Sequence, residues 1–479
     1  MLTYLLNAGD KIPLYEQLYK LIKADIAAGR LGPNEKLPSR RTFAANLGVS
    51  TMTVENAYAQ LSAEGYIYTL PKKGYFVSDI RTAMLSEDVT GPAPAPHDES
   101  SAESISGPQA DAAADLIADF TSNQTVKENF PFSIWSRLIR ELLTDSRYDL
   151  LTNAPAGGAL QLRQAIADHL HDYHGMNVSA RQVIIGAGTE YLYGILIQLL
   201  GFDLCYGVED PGYRKISRIY NSYHVKCDFI PMDGQGVMLG PLNEKGIDVI
   251  HVSPSHQFPT GITMPAARRY GLLAWAAKSP SRYIIEDDYD SEYRLTGQPI
   301  PPLQSIDRLE KVIYINTFTR TLSSTVRISY MVLPPHLLAR YDQKMSFYSC
   351  TVSNFEQYTL AAFISRGYFE KHINRTRNDY RARRNALLSA IRESEAAPYV
   401  SISGEDAGLH FLLRVRTSLS DEAFCERAKE KGILVNALSG YYKSLPDNIR
   451  HIFVIGYASI SQENLAPAVE ALCGIIRRD

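Results

Sequence analysis

Between Ile184 and Glu190 a β-prone run turns through Gly186 and Gly188 into a helical pattern that begins near Thr189. The backbone N–H groups of Ala187, Gly188 and Thr189, gathered at a helix N-terminus with the Thr189 hydroxyl, suit a phosphate. Further along, Ile284-Ile285-Glu286-Asp287-Asp288-Tyr289 ends an apolar strand in acids, at the edge where open α/β sheets place ligands. Tyr289, two residues beyond Asp287, reaches the same side. Arg327, in Arg327-Ile328-Ser329-Tyr330-Met331, can hold a phosphate bidentately. Tyr213, in Asp210-Pro211-Gly212-Tyr213, offers a ring to stack on a flat ligand, and the run from His251 to Gly261 closes another strand with polar groups that include His256 and Gln257. Each has a plainer use when taken singly: a glycine loop is common, Tyr213 can be a core ring, and Asp287 can cap a helix. Their common order along the chain is what gives them weight.

Such groups need a scaffold to bring them together. From about Ile117 to the C-terminus, helical periodicity alternates with short β-rich runs, the pattern of an α/β domain. The chain has 479 residues, 45% hydrophobic and 21% charged, a globular composition with length enough for two or three domains. It divides into a head at residues 1–80, a linker at 81–114 and a large domain at 115–479. Gly91-Pro-Ala-Pro-Ala-Pro-His97 and the small polar residues after it mark the linker, because they cannot bury enough apolar surface to offset chain entropy. Nothing approaches the roughly 18 apolar residues of a membrane span. No basic residue precedes the short apolar stretch in Met1–Asp10, so neither a signal peptide nor a membrane partner is expected. Five scattered cysteines without CxxC spacing fit reduced thiols in a cytoplasmic protein, with no metal site.

The whole chain carries −3, yet residues 1–80 hold nine Lys or Arg against seven acids, a local excess of +2. That is the sign a nucleic-acid site needs. Leu14, Leu18, Leu21, Ile22 and Ile26 fall at helical spacing. Ser39 is placed to cap a second, short helix ended by Gly48, and Ser50 to cap a third with Val54, Ala57, Tyr58 and Leu61 on one side. The Gly48-Val49-Ser50 step between them is the short turn of a helix-turn-helix. Two β runs, Tyr66–Thr69 and Tyr75–Val77, flank Pro71-Lys72-Lys73-Gly74 as a hairpin with cations at its tip. These elements predict a winged helix-turn-helix. On double-stranded DNA, Thr51, Met52 and Thr53, at the end that Ser50 caps, would face base edges in the major groove, with Ser50 also on the DNA side. Arg40 and Arg41 would meet phosphates or a guanine edge, and Lys72 and Lys73 the backbone or minor groove.

Pro13-Leu14-Tyr15-Glu16-Gln17, Leu37-Pro38-Ser39-Arg40-Arg41, Leu47-Gly48-Val49-Ser50, Leu61-Ser62-Ala63-Glu64-Gly65-Tyr66 and Lys73-Gly74-Tyr75-Phe76-Val77 resemble the GntR superfamily of regulators. Thr51 departs from the pattern, because many relatives carry an arginine there, and this leaves the bases read undefined. From Ile117 on, with Ser253-Pro254-Ser255-His256-Gln257-Phe258-Pro259 and Ile285 to Glu292, the chain resembles the large domain of the MocR/GabR subgroup. The resemblance implies two folds: an N-terminal winged helix-turn-helix (α+β) and an α/β, fold type I aminotransferase-like domain that depends on pyridoxal 5'-phosphate. It further implies a homodimer, arranged head to tail, on a DNA operator, answering to a small-molecule effector such as an amino acid or the vitamer. Cofactor contacts are then expected from Ala187, Gly188, Thr189, Tyr213, His256, Gln257, Asp287, Tyr289, Thr317, Thr319, Arg320 and Arg327. Asp287 would keep the pyridine nitrogen protonated, Tyr289 would meet the ring hydroxyl, and Tyr213 the ring face.

The match breaks at the family's lysine, which attaches the cofactor through its aldehyde. That position, in Thr317-Phe318-Thr319-Arg320-Thr321-Leu322, is Arg320, and no lysine lies between Lys311 and Lys344. Arginine stays protonated and is no nucleophile here. Ser459 stands where the family often carries an arginine for a substrate carboxylate. No catalytic residue is therefore expected, and the chain reads as a transcription regulator rather than an enzyme. Pyridoxal phosphate is either held without a covalent link or not held at all. In the second case the large domain is a scaffold for a ligand-independent DNA-binding dimer. A working aminotransferase with an appended head is a third reading, and Arg320 stands against it.

Overall fold

A computed structural model describes residues 12–70, 73–79, 116–122, 126–145, 148–295, 300–406, 408–446 and 449–476, with Tyr4 and Leu6. The linker expected at 81–114, and Lys72, lie outside the described residues. In the head, α1 (Leu14–Ala27) buries Leu18, Tyr19, Ile22 and Ile26. Leu21, expected on that stripe, is 36% exposed. Tyr19 joins the buried face instead, because its hydroxyl donates to Glu64 Oε2 at 2.9 Å and is not left unpaired. Ser39 Oγ accepts from Thr42 N at the start of α2 (Arg40–Leu47), and Ser50 Oγ from Thr53 N at the start of α3 (Thr51–Ala63). Each serine satisfies an N–H that the first turn leaves open. Val54, Ala57, Tyr58 and Leu61 of α3 close one core with Phe43 and Ala44. β1 (Ile67–Leu70) pairs antiparallel with β2 (Gly74–Val77), Ile67 opposite Val77.

In the large domain β3 (Ala118–Asp119), α4 (Phe132–Asp145) and α5 (Leu160–His174) precede β4 (Val183–Gly186), α6 (Thr189–Leu200), β5 (Tyr206–Asp210) and α7 (Arg214–Ser222). Then follow β6 (Cys227–Asp233), β7 (Gly236–Val237), α8 (Leu239–Glu244), β8 (Val249–Val252), α9 (Ala266–Ala277), β9 (Tyr283–Asp287), β10 (Val312–Thr317), β11 (Ser329–Val332) and α10 (Pro335–Met345). The strands form one eight-stranded sheet in the order β4-β11-β10-β9-β8-β5-β6-β7. From β10 through β6 the neighbours are parallel, whereas β11 is antiparallel to both β10 and β4. Every residue of β9 and β10 is buried, because helices cover both faces. Ile313 and Ile315 pack on the side of α6 and α10. Val312 faces α9, and Tyr314 faces α5 and α11 (Asn354–Ser365).

The chain continues through the long α12 (Tyr368–Glu393) into β12 (Val400–Ser403), β13 (His410–Val415), α13 (Asp421–Glu430), β14 (Ile433–Leu434), β15 (Asn436–Ala437), β16 (Ile452–Gly456) and α14 (Gln462–Ile476). Four of these strands form a second sheet, β12-β13-β16-β15, while β14 pairs with β3 and ties the start of the domain to its end. The head rests on the start of α9. Ala266 N donates to Glu64 O at 2.8 Å, and Ala266 is part of the head's core. Gly65 lies at φ +75°, and a Cβ there would overlap Pro265, so the seam requires glycine. Among the described residues no helix is long and apolar enough to cross a membrane.

Candidate functional site

The C-terminal ends of β5, β8, β9 and β10 and the start of α6 open on one cavity of about 790 Å³. Asp287, the last residue of β9, is 8% exposed there. Its Oδ2 accepts from Tyr193 Oη of α6 at 2.7 Å and lies 3.4 Å from His251 Nε2 of β8. The His251 ring is fixed from behind by the Tyr220 hydroxyl, 2.9 Å from Nδ1. Asp287 Oδ1 is buried and has no hydrogen-bond partner among the described residues. Such an atom is costly unless something supplies a donor, and a protonated ring nitrogen in the cavity is a donor of the right kind. Nearby, Tyr289 Oη is 3.2 Å from His256 Nδ1, and burial holds its phenol well above the usual range although Arg320 works the other way. His410 is pushed down to about 3 by burial, then by His256, and in part by Arg320. Glu209, also on the wall, is pushed up to about 8 by burial.

The other end of the cavity is an anion cradle. Gly188 is the N-cap of α6 at φ +94°, and a Cβ there would collide with the Arg327 guanidinium. Arg327 and Lys215 both pair with the Glu190 carboxylate, Arg327 on Oε2 and Lys215 on Oε1. Thr317, at the end of β10, donates its hydroxyl to Thr319 Oγ1 at 2.9 Å. Tyr213 is 50% exposed at the cavity mouth, edge-on to Phe258 with ring centroids 6.0 Å apart.

In the head, the N-terminal end of α3 carries Thr51 and Met52 exposed to solvent, while Thr53 Oγ1 lies 2.8 Å from Ser50 Oγ. Arg41 is exposed, Arg40 pairs with Glu55 across α2 and α3, and Lys73 is exposed in the turn before β2.

The family model described as bacterial regulatory proteins, gntR family, matches residues 14–77. The chain is 36% identical to the HTH-type transcriptional regulator YdeL of Bacillus subtilis over 98% of either chain. It is 32% identical to the probable rhizopine catabolism regulatory protein MocR of Rhizobium meliloti, over 98% of this chain and 94% of that one. This chain belongs to the gntR family of bacterial transcription regulators, in its MocR-type branch. The large domain of this regulator is similar in fold to a multiple substrate aminotransferase from Thermococcus profundus, with a TM-score of 0.66 and 24% identity over 76% of this chain and 92% of that one. Its architecture is therefore a GntR helix-turn-helix head followed by an aminotransferase-type α/β domain.

Of the residues expected at the regulator's ligand site, the cavity wall includes Thr189, Tyr213, Asp287, Tyr289, Thr317, Thr319, Arg320 and Arg327. Ala187, Gly188, His256 and Gln257 are not part of that wall. Ala187 N donates to Thr351 Oγ1 at 3.0 Å. His256 Nδ1 is 2.9 Å from Asp290 Oδ2, and Gln257 Nε2 donates to Pro211 O at 2.8 Å and Phe258 O at 2.7 Å. Gln257 braces the wall from behind, since its amide is spent on protein partners, whereas the buried His256 Nε2 has none among the described residues. Ser459 is not on the wall either, but its Oγ donates to the backbone oxygen of the wall residue Asp119 at 3.1 Å. Sequence reasoning passed over Tyr193, Lys215 and Glu190. Tyr193 lies four residues after Thr189, one helical turn along, and that spacing was the signal available for it.

Proposed function

We propose that this regulator binds a pyridoxal phosphate-type ligand in the large-domain cavity reversibly, without transferring an amino group, and passes its occupancy to a DNA-bound head. The observation that carries the reading is the buried Asp287 oxygen without a partner, in a cavity that also has Arg327 and Thr189 for a phosphate, and Arg320 at the position of the family's lysine. The residues present fit the group: Asp287 would hold the ring nitrogen, Tyr213 the ring face, Tyr289 the ring hydroxyl, and Arg327 with Thr189 the phosphate. Bound here, pyridoxal phosphate supplies a protonated ring and a phosphate dianion, the two features these side chains can recognise. Arg320 contributes a guanidinium charge to the wall and no nucleophile. One winged helix makes too few contacts for strong specificity. The operator is accordingly read by two heads of a cytoplasmic, head-to-tail homodimer, with Thr51 and Thr53 toward bases and Arg40, Arg41, Lys72 and Lys73 toward phosphates.

The test is a titration of purified protein with pyridoxal phosphate, followed by visible absorbance and thermal stability, then borohydride reduction and mass spectrometry. Saturable binding that dialysis reverses, with no covalent adduct and no amino-group transfer, is expected. The variant Arg320→Lys should become covalently labelled after reduction. A covalent adduct in the unaltered protein would overturn the proposal, because another lysine would be doing the attachment. Absence of saturable binding in both proteins would instead leave the large domain as a scaffold.

A further inference from the structure

The Glu190 carboxylate folds back over the N-terminus of its own helix. A Cβ built on Gly188 would lie 2.9 Å from Glu190 Oε2, which places that oxygen over the backbone turn that opens α6. From there Glu190 takes both cations of the cradle, Arg327 on one oxygen and Lys215 on the other. Burial works to raise this carboxyl, but Lys215 and Arg327 outweigh it and hold the group below the usual carboxylate range. A negative side chain at the positive end of a helix, paired with two cations, has the chemistry of a bound phosphate oxygen. The same cavity also holds the unpartnered, nine-tenths buried Asp287 oxygen at its far end, so its two ends differ: one awaits a donor, while the other is already filled by the chain itself.

We propose that Glu190 is a built-in competitor for the ligand's phosphate, an internal anion that must leave Arg327 and Lys215 before a phosphorylated ligand can take them. The inference rests on the reading of this cavity as a phosphate-ligand site. Two like-charged groups cannot share the cradle without repulsion. Both cations are about half exposed, so solvent screens much of this. Glu190 thereby keeps affinity for phosphorylated ligands low and their occupancy tied to concentration, and a ligand without a phosphate gains nothing from its removal.

The experiment compares the unaltered protein with Glu190→Gln, a change that keeps shape and hydrogen-bonding capacity while removing the charge. The probes are pyridoxal phosphate, pyridoxal and inorganic phosphate, measured by calorimetric titration, with a thermal melt to confirm folding. The variant should bind pyridoxal phosphate and inorganic phosphate on the order of tenfold more tightly, with pyridoxal unchanged. Unchanged or weaker phosphate binding in the variant would overturn the proposal and make Glu190 a clamp that positions Arg327. A gain shared equally by pyridoxal would overturn it too, because the effect would not lie in the cradle. If inorganic phosphate tightens while neither protein takes pyridoxal phosphate, the competitor stands and the pyridoxal reading falls. If neither protein takes any probe, both fall.

Discussion

The head and the cavity are parts of one chain assembled by opposite rules. In the head each functional group lies next to the signal that places it: Ser50 caps α3 and thereby sets Thr51 and Thr53 at its exposed end. In the cavity Asp287, Tyr193, His251 and Arg327 arrive from four separate elements and become neighbours only through the sheet and the helices packed on it. The head therefore depends on a small core and on local caps, whereas the cavity depends on the alignment of strand ends far apart in sequence. The contrast teaches where each region is fragile.

The largest effect should come from breaking the head's core. Tyr58 is fully buried and its hydroxyl donates to Pro38 O at 3.0 Å. Tyr58→Ala should cost about 3–5 kcal/mol, as large-to-small changes of buried aromatic residues do. A calorimetric scan should then show an early transition for the head, with DNA binding lost and ligand binding in the large domain kept. One merged transition at lower temperature would deny that the two regions are separable. A smaller effect is expected in the cavity. Arg327→Met removes a charge-assisted partner of the phosphate and should weaken pyridoxal phosphate binding by about 1.5–3 kcal/mol. An unaltered dissociation constant in calorimetric titration would take Arg327 out of the site. The smallest concerns a single cap. Ser50→Ala should lower stability by about 1 kcal/mol in chemical denaturation, and a null result would mean that the α3 entry is fixed by packing alone.

The same contrast explains what the sequence could disclose. The winged helix was legible almost residue by residue, because Ser39, Gly48 and Ser50 act on the backbone beside them. The wing strands shifted by a residue, and Leu21 was misplaced by counting every apolar residue at helical spacing, when a tyrosine with a hydrogen-bonded hydroxyl took part of the buried face. In the large domain the glycine turn, the acids at the end of β9 and Arg327 were visible because strand ends carry recognisable residue types. Which polar groups would reach the wall was not. His256 and Gln257 share a motif with wall residues Ser253 and Phe258, yet neither lines the wall: His256 Nδ1 faces Asp290, and the Gln257 amide is taken by Pro211 and Phe258 backbone oxygens. Nor does a sequence show that Glu190 turns back onto Arg327 and Lys215, since that depends on how α6, α7 and the β10–β11 connection meet in space.

The seam between head and large domain has a consequence for the geometry of an operator. Ser253 and Phe258 line the cavity, and Ala266, a little further along the same stretch, belongs to the head's core. The head is held there through Glu64 and Gly65, immediately after the C-terminal end of α3. That helix has 13 residues, a length of about 20 Å at 1.5 Å per residue. A tilt of about 10° about the seam therefore carries Thr51 through roughly 3.4 Å, the rise of one base pair. In the proposed dimer two such tilts alter the distance between half-sites by about two base pairs, so the preferred half-site spacing is a ruler for the angle at which Gly65 and Pro265 meet.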